Sequence, residues 1–258
     1  GNKMKNMQCI VSALLFSFIM LGTESVKAQG NELKKMAYKA YLSNSVSMWK
    51  SVEARARKHY SANPDNFQLL LQLTDIQYGL LNACIPNSNE ETHKKYLKMA
   101  EKNLDTLLHY NNKWSAAHAL KAGILSTEMA FNPAKGMILG PKNQKHIEKA
   151  LKYNNKEPLA WIQKGSTKLH TPKMFGGDTE EAINTYKKAI ELFEQDSMAH
   201  KNNWQYINSL AWLGYAYSQE EEYEKALTVY QKALRIEPEF NWVKYNLMEE
   251  VKQKLSEK

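Results

Sequence analysis

The chain has 258 residues, of which 43% are hydrophobic and 10% aromatic, so it is long enough to bury a substantial core in one or two domains. Its formal charge is +8, but only three of the 35 basic residues are arginine, the residue that nucleic-acid surfaces favour for bidentate contacts. The lysines are interspersed with glutamates, as Lys225 is with Glu221, which is typical of solvated helix faces and argues against a nucleic-acid partner.

Residues 1–28 have the pattern of a secretory signal peptide. Lys3 and Lys5 make a basic start, an apolar run covers 9–21, and Val26 and Ala28 are modest or small residues before a cleavage point. A transmembrane anchor would need about 18 apolar residues, and this run is shorter. We therefore expect an exported mature chain of residues 29–258, periplasmic or associated with the cell envelope, with no stable membrane span after cleavage.

Removal of this segment would leave one cysteine, Cys84. An exported chain with one thiol has no internal disulfide, so its stability must come from helix packing. No nucleophile motif surrounds Cys84, and we interpret it as a small apolar residue of the core.

Helical repeats of about 34 residues begin after the signal segment. Residues 33–66 form a degenerate first repeat, as is expected of a terminal unit. The second covers 67–115, and its two helices are separated by an insertion at 82–89 whose proline, asparagines and serine predict a loop. Its second helix is expected at 91–108.

The third and fourth repeats also have lengthened turns between their helices. The third covers 116–157, with turn residues at 132–136 and again at 140–142. The fourth covers 158–196, and the stretch 171–176 lengthens it before its second helix. Each of these turns joins the first helix of a repeat to the second, so all should emerge at one edge of the stacked repeats.

The second helix of the fourth repeat has a recognisable start. Asp178 is expected to cap it, since its carboxylate can accept from the backbone three residues on. Glu181 stands at the position from which a side chain reaches back to the cap residue, which predicts a capping box.

Residues 207–240 form the fifth repeat, after a connection at 197–206 whose Trp204 is expected to lengthen the first helix. Small residues recur where helices cross, larger ones fill the spaces between them, and a proline ends the second helix. The diagnostic positions are Leu210, Leu213, Gly214, Tyr217, Ala226, Tyr230, Ala233 and Pro238.

Residues 241–258 have one apolar side at helical spacing. Its residues are Trp242, Tyr245, Met248, Val251 and Leu255. This pattern predicts a capping helix that covers the exposed face of the last repeat.

The spacing in 207–240 resembles the tetratricopeptide repeat, and the likeness extends over about 33–258. The segments 137–151, 171–194 and 237–247 look like those of exported tetratricopeptide proteins in Bacteroides-type bacteria. The turn at 172–178 is similar to that of the tetratricopeptide component of periplasmic substrate-binding transport systems. The resemblance implies an all-α protein: a right-handed α-solenoid of about five helix-turn-helix repeats with a capping helix.

The resemblance also implies a concave groove for a protein or peptide segment, lined by the first helix of each repeat. Its inward positions are largely apolar or aromatic here, which suits a hydrophobic segment bound with few ionic contacts. The candidate partner-binding residues are Tyr41, Leu71, Asp75, Tyr78, Leu120, Ile124, Ile162, Ser166, Asn208 and Tyr215. Met174 and Phe175 are candidates for a second contact at the rim of the solenoid.

The sequence indicates a binding protein with no catalytic, cofactor or metal residues. Its seven histidines are scattered, without metal-ligand spacing, and no phosphate-binding loop or nucleophile elbow is present. His118 and His170 are interpreted as polar lining of the groove. We expect an exported scaffold for a protein or peptide partner. The alternative is a ligand-handling component of a periplasmic transport system that holds a small apolar molecule.

Overall fold

A computed structural model describes residues 29–196, 198 and 200–257, and the described residues form helices without a β-strand. The first helix, α1, covers 29–42. It is followed by α2 (Val46–Ala62), α3 (Phe67–Cys84), α4 (Glu90–Tyr110), α5 (Ser115–Phe131), α6 (Gly136–Tyr153), α7 (Pro158–His170), α8 (Thr179–Glu194), α9 (Trp204–Gln219), α10 (Tyr223–Ile236) and α11 (Met248–Ser256). The expected signal segment, 1–28, lies outside the described residues.

Successive helices pack as antiparallel pairs in one continuous row from α2 to α10. The first helices of neighbouring repeats also touch, α3 with α5, α5 with α7, and α7 with α9. This is the arrangement of an α-solenoid, which confirms the predicted fold class.

Small residues lie at the helix crossings where the repeat pattern placed them. Gly214 of α9 faces the ring of Tyr230 in α10, and a Cβ atom added at Gly214 would lie 2.2 Å from that ring. Gly165 of α7 faces Tyr186 of α8 in the same way, at 3.1 Å. Each pair brings two helices close enough to bury the aromatic ring almost completely.

The turns between the helices of each repeat lie at one edge. The amide of Asn87, in the second repeat, donates to the carbonyl of Asn44, in the first, at 3.3 Å. At the same edge the ring of His93, in the first turn of α4, contacts that of Phe131 at the end of α5, with centroids 4.4 Å apart. We call this side of the solenoid the turn edge.

Two of the predicted turns are shorter than expected. The insertion at 82–89 is a loop only from residue 85, because α3 continues to Cys84. The predicted turn at 140–142 is helical, and Pro141 lies inside α6. The 3₁₀ turn Pro133–Lys135 already reverses the chain, so Pro141 removes only one hydrogen bond from the exposed start of α6.

Of the two hydrogen bonds in the predicted capping box at the start of α8, the one accepted by the Asp178 side chain is formed. Asp178 accepts from the backbone N–H of Glu181 at 2.9 Å. The Glu181 carboxylate does not reach back to the cap, because it binds the ammonium groups of Lys164 and Lys168 at 2.9 and 2.8 Å. The Asp178 N–H instead donates to the carbonyl of Lys168.

The end of the chain covers the last repeat with four of the five predicted side chains: Val251 is buried, and Trp242, Met248 and Leu255 pack against the core. A π-helical turn, Val243–Leu247, precedes α11 and shifts the register of the helix. Val243, Leu247 and Val251 are therefore buried, whereas Tyr245, expected on the apolar side, is 62% exposed.

We predict that Gly214→Ala destabilises the protein by about 1–3 kcal/mol, because the new methyl group would overlap the buried Tyr230 ring. Urea unfolding followed by circular dichroism measures this change. Gly136→Ala is the matched control, since a Cβ atom there meets no atom within 4 Å. A similar loss of stability in both variants would contradict the proposed role of the crossing.

Candidate functional site at the concave face

The concave side of the solenoid is lined by α1, α3, α5, α7 and α9, the first helices of the five repeats. In an open solenoid each repeat touches only its neighbours, and this side would be a continuous groove. Here the first repeat also touches the last. The hydroxyl of Tyr41 in α1 donates to the side-chain oxygen of Asn208 in α9 at 2.8 Å, and the Tyr41 ring lies 5.7 Å from that of Phe240.

Trp204, the first residue of α9, occupies the centre of this contact. Its ring centroid lies 5.7 Å from those of Tyr41, Trp49 and Tyr78, which belong to three different helices. The side chain is only 6% exposed. Trp204 therefore lengthens α9 as predicted, and it also fills the axis of the solenoid, which its sequence context did not indicate.

A second contact crosses the axis between the second and fourth repeats. Gln163 in α7 donates to the hydroxyl of Tyr78 in α3 at 2.8 Å, over the intervening helix α5. The crossing depends on Gly123 of α5, where a Cβ atom would lie 2.7 Å from Tyr78 and 2.8 Å from Gln163.

These contacts change the predicted groove. Tyr78, Leu120, Ile124 and Ile162 were expected to line an accessible surface, but they are buried at 8%, 1%, 0% and 5% exposure. This expectation is wrong because the repeats curve tightly enough for opposite walls to meet. The other six candidates are partly exposed, and their contact with a partner stays a prediction: Tyr41, Leu71, Asp75, Ser166, Asn208 and Tyr215.

One part of the concave side remains open as a cleft of about 420 Å³. It lies between the early turns of α1, the middle of α3 and the start of α9. Its polar lining includes Lys34, Gln72, Asp75 and Gln205, and Leu33, Ala37, Ile76 and Trp204 supply apolar surface. We call this space the mouth cleft.

Asp75 gives the mouth cleft its most perturbed ionisable group. Burial, with a smaller contribution from the negative charge of Glu157, raises the pKa of Asp75 to about 7, although a hydrogen bond from Gln205 at 2.5 Å opposes the shift. Burial also lowers the pKa of Lys34, whose ammonium donates to the carbonyl of Met198 at 3.1 Å. The mouth cleft thus offers a carboxyl group that changes charge near neutral pH.

The contact loop predicted at 171–176 is exposed. Met174 is 82% and Phe175 72% exposed, on the 3₁₀ turn Lys173–Phe175. Sequence reasoning missed Met137 and Ile138, which are 92% and 66% exposed at the start of α6. Their position directly after the glycine of a predicted turn was the available signal.

The remaining chemical candidates are accounted for by packing. Cys84 is buried, and burial raises the pKa of its thiol to about 11, so it stays protonated at neutral pH. His118 does not line the groove: it bonds the carbonyl of Asn112 at 2.9 Å and the ring of His146 at 2.8 Å. His170 packs against the ring of Trp212.

Two further features concern the described part of the chain only. It contains no group of three or more histidine, cysteine, aspartate or glutamate side chains arranged to hold a metal ion. None of its helices combines the length and the apolar character needed to cross a bilayer.

Comparisons with known proteins agree with this architecture. Residues 207–240 and 174–196 match models of the tetratricopeptide repeat. No curated protein matches the sequence.

Two solved structures share the fold. A thermophilic tetratricopeptide protein of Thermus thermophilus, TTC0263, has a TM-score of 0.55 and 15% sequence identity, over 84% of this chain and 96% of that one. The HusA haemophore of Porphyromonas gingivalis has a TM-score of 0.59 and 16% identity, over 73% of this chain and 93% of that one. At these identities the similarity is one of fold.

We predict that Trp204→Ala destabilises the protein by about 3–5 kcal/mol and increases its radius of gyration, because the first and last repeats lose their shared aromatic contact. Urea unfolding and small-angle scattering measure the two effects. Trp161→Ala, at a partly exposed tryptophan of α7, is the control and should leave the dimensions unchanged. Unchanged dimensions in Trp204→Ala would show that the ends are held together by other contacts.

We also predict that Asp75→Asn stabilises the protein by about 1–2 kcal/mol at pH 8 and has little effect at pH 4. The full pKa shift would correspond to roughly 4 kcal/mol, but the side chain is partly exposed and solvent screens its charge. The raised pKa means that the folded state binds the proton more tightly than the unfolded chain, so the wild type loses stability as pH rises from about 4 to 7. Urea unfolding at several pH values tests this. Asp105→Asn, on the exposed face of α4, serves as the control. The same pH dependence in wild type and Asp75→Asn would exclude this carboxyl as its source.

Proposed function

We propose that this chain, which contains tetratricopeptide repeats, is an exported scaffold that binds a segment of a partner protein or peptide at the mouth cleft. The observation that carries the proposal is the position of the cleft. It is an open part of the concave side, and helices of the first, second and fifth repeats line it together. Solenoid proteins use their concave sides as binding surfaces. The pattern of residues 1–28 supports export.

The lining determines what kind of segment would fit. Asp75 and Gln205 provide hydrogen-bonding groups at the wall, while Leu33, Ile76 and Trp204, which are almost buried, add a small apolar area. The carboxyl of Asp75 donates when protonated and only accepts when ionised. Binding of a segment that donates to Asp75 should therefore strengthen as pH rises through about 7.

We predict that a photo-crosslinking residue at Gln72 captures the partner in intact cells, because this half-buried side chain lies in the wall of the mouth cleft. The same residue at Lys102, on the exposed face of α4, is the matched control. Mass spectrometry of the adducts should identify a protein or peptide bound from position 72 and not from position 102.

A blocking variant completes the test. Gln72→Trp fills the cleft with an indole ring and should abolish capture from a crosslinker placed at the neighbouring Asn31. Lys102→Trp should leave that capture unchanged. The proposal fails if both crosslinking positions give the same adducts, or if the filled cleft captures as well as the open one.

A small apolar molecule is the second candidate occupant, because about 420 Å³ lies in the range of small-ligand sites. HusA, which shares the fold, is a haemophore. Among the described residues that line the mouth cleft there is no histidine, methionine, cysteine or tyrosine, the usual axial ligands of haem. A small molecule in this cleft would therefore be held by packing and hydrogen bonds with the lining. Stoichiometric binding of a hydrophobic fluorophore that Gln72→Trp abolishes would favour this candidate.

A further inference from the structure

Four large apolar side chains stand exposed on the turn edge, away from the mouth cleft. Met137 and Ile138 begin α6, and Met174 and Phe175 form the tip of the turn before α8; their exposures are 92%, 66%, 82% and 72%. We call these four side chains the apolar rim. Each tip thus presents two adjacent, strongly exposed apolar side chains, which can contact another phase or molecule.

Both parts of the apolar rim lie at the same edge. The hydroxyl of Thr167, one turn before the end of α7, donates to the side-chain oxygen of Asn143 in α6 at 3.0 Å. The two helices run antiparallel, so moving back along α6 from Asn143 and forward along α7 from Thr167 leads to the same side of the solenoid. Ile138, before Asn143, and Phe175, after Thr167, therefore lie on the same side of the solenoid.

The second tip is held in its exposed position by its own backbone. Phe175 and Gly177 both donate to the carbonyl of Pro172, at 2.8 and 3.2 Å. Gly177 is required here, since a Cβ atom would lie 1.7 Å from the carbonyl oxygen of Thr171. The hydrogen-bonded turn keeps Met174 and Phe175 from folding back onto α7 or α8.

The charge around the apolar rim is positive. Residues 129–147 and 165–177 contain no aspartate or glutamate. Lys142 and Lys145 follow Ile138 at helical spacing on the exposed face of α6, and Lys173 adjoins Met174. Among the described residues these three lysines have no carboxylate partner, whereas Lys135 and Lys168, nearby, are paired with Glu128 and Glu181.

We propose that the apolar rim inserts into the surface of an anionic lipid bilayer. Protruding apolar side chains can enter the boundary between head groups and acyl chains, while lysines beside them remain at the level of the lipid phosphates. Each lysine near an anionic surface adds attraction, and neutral lipid offers the apolar contact alone. The rim projects outward as two tips with exposed lysines beside them, which favours a lipid surface over a protein segment.

Flotation with lipid vesicles tests the proposal. Residues 29–258, which include every described helix and the whole described core, are used so that the apolar run at 9–21 contributes nothing. The protein should float with vesicles of phosphatidylcholine containing about one third phosphatidylglycerol, and about tenfold less with phosphatidylcholine alone. Salt at about 0.5 M should weaken this binding, because it screens the lysines.

Two rim variants separate the apolar and ionic contributions. Met174→Ser with Phe175→Ser should reduce binding to anionic vesicles about tenfold, and Lys142→Gln, Lys145→Gln and Lys173→Gln together should do the same. The control for the apolar variant is Ile236→Ser with Tyr245→Ser, which removes apolar side chains that are exposed elsewhere. The control for the lysine variant removes three exposed lysines from the opposite edge: Lys113→Gln, Lys152→Gln and Lys156→Gln. Circular dichroism checks that every variant remains helical.

The outcomes decide between occupants of the rim. Loss of binding in the rim variants but not in the controls supports the lipid surface. Absence of flotation, or equal flotation of rim and control variants, overturns it. Vesicle-independent dimerisation that the rim variants abolish would assign the surface to a second copy of the chain. Failure at the rim leaves crosslinking from Gln72 unaffected, so this test and that of the mouth cleft are independent.

Discussion

Aromatic packing across the axis of the solenoid is the contact on which the rest of the structure depends. Trp204 joins rings from α1, α2 and α3 to the start of α9, so the first and fifth repeats touch each other as well as their neighbours. Stacked repeats without such contacts are held by nearest-neighbour interfaces alone. Closure adds contacts between residues distant in the sequence, and it makes the concave side part of the core.

The closure also determines where a partner can bind. Most of the inward-facing apolar residues are buried because they pack against one another. They therefore do not form a continuous groove for a long segment. The mouth cleft lies toward the starts of α1 and α9, and the apolar rim lies at the opposite, turn edge. A scaffold with this arrangement can contact a lipid surface at one edge while its cleft stays accessible from the other.

The repeat pattern predicted the local packing well because each of its positions acts within one helical pair. Gly214 and Tyr230 lie on two helices that are joined by one short turn, and their contact follows from the crossing of these helices. The capping of α8 by Asp178 was predictable for the same reason. The prediction was wrong where an irregular turn changed the helix register. The π-helical turn, for example, buries Leu247 against the last repeat and leaves Tyr245 exposed.

The sequence by itself determined the helices, their pairing and their order, since spacing of small, large and capping residues acts over one or two turns. Only the tertiary structure decided that the first and last repeats touch and that Trp204 occupies the axis between them. These features depend on the angle between successive repeats, which accumulates along the solenoid. A small change of angle at each interface alters the distance between the two ends of the solenoid. The total rotation therefore cannot be read from the sequence of any single repeat.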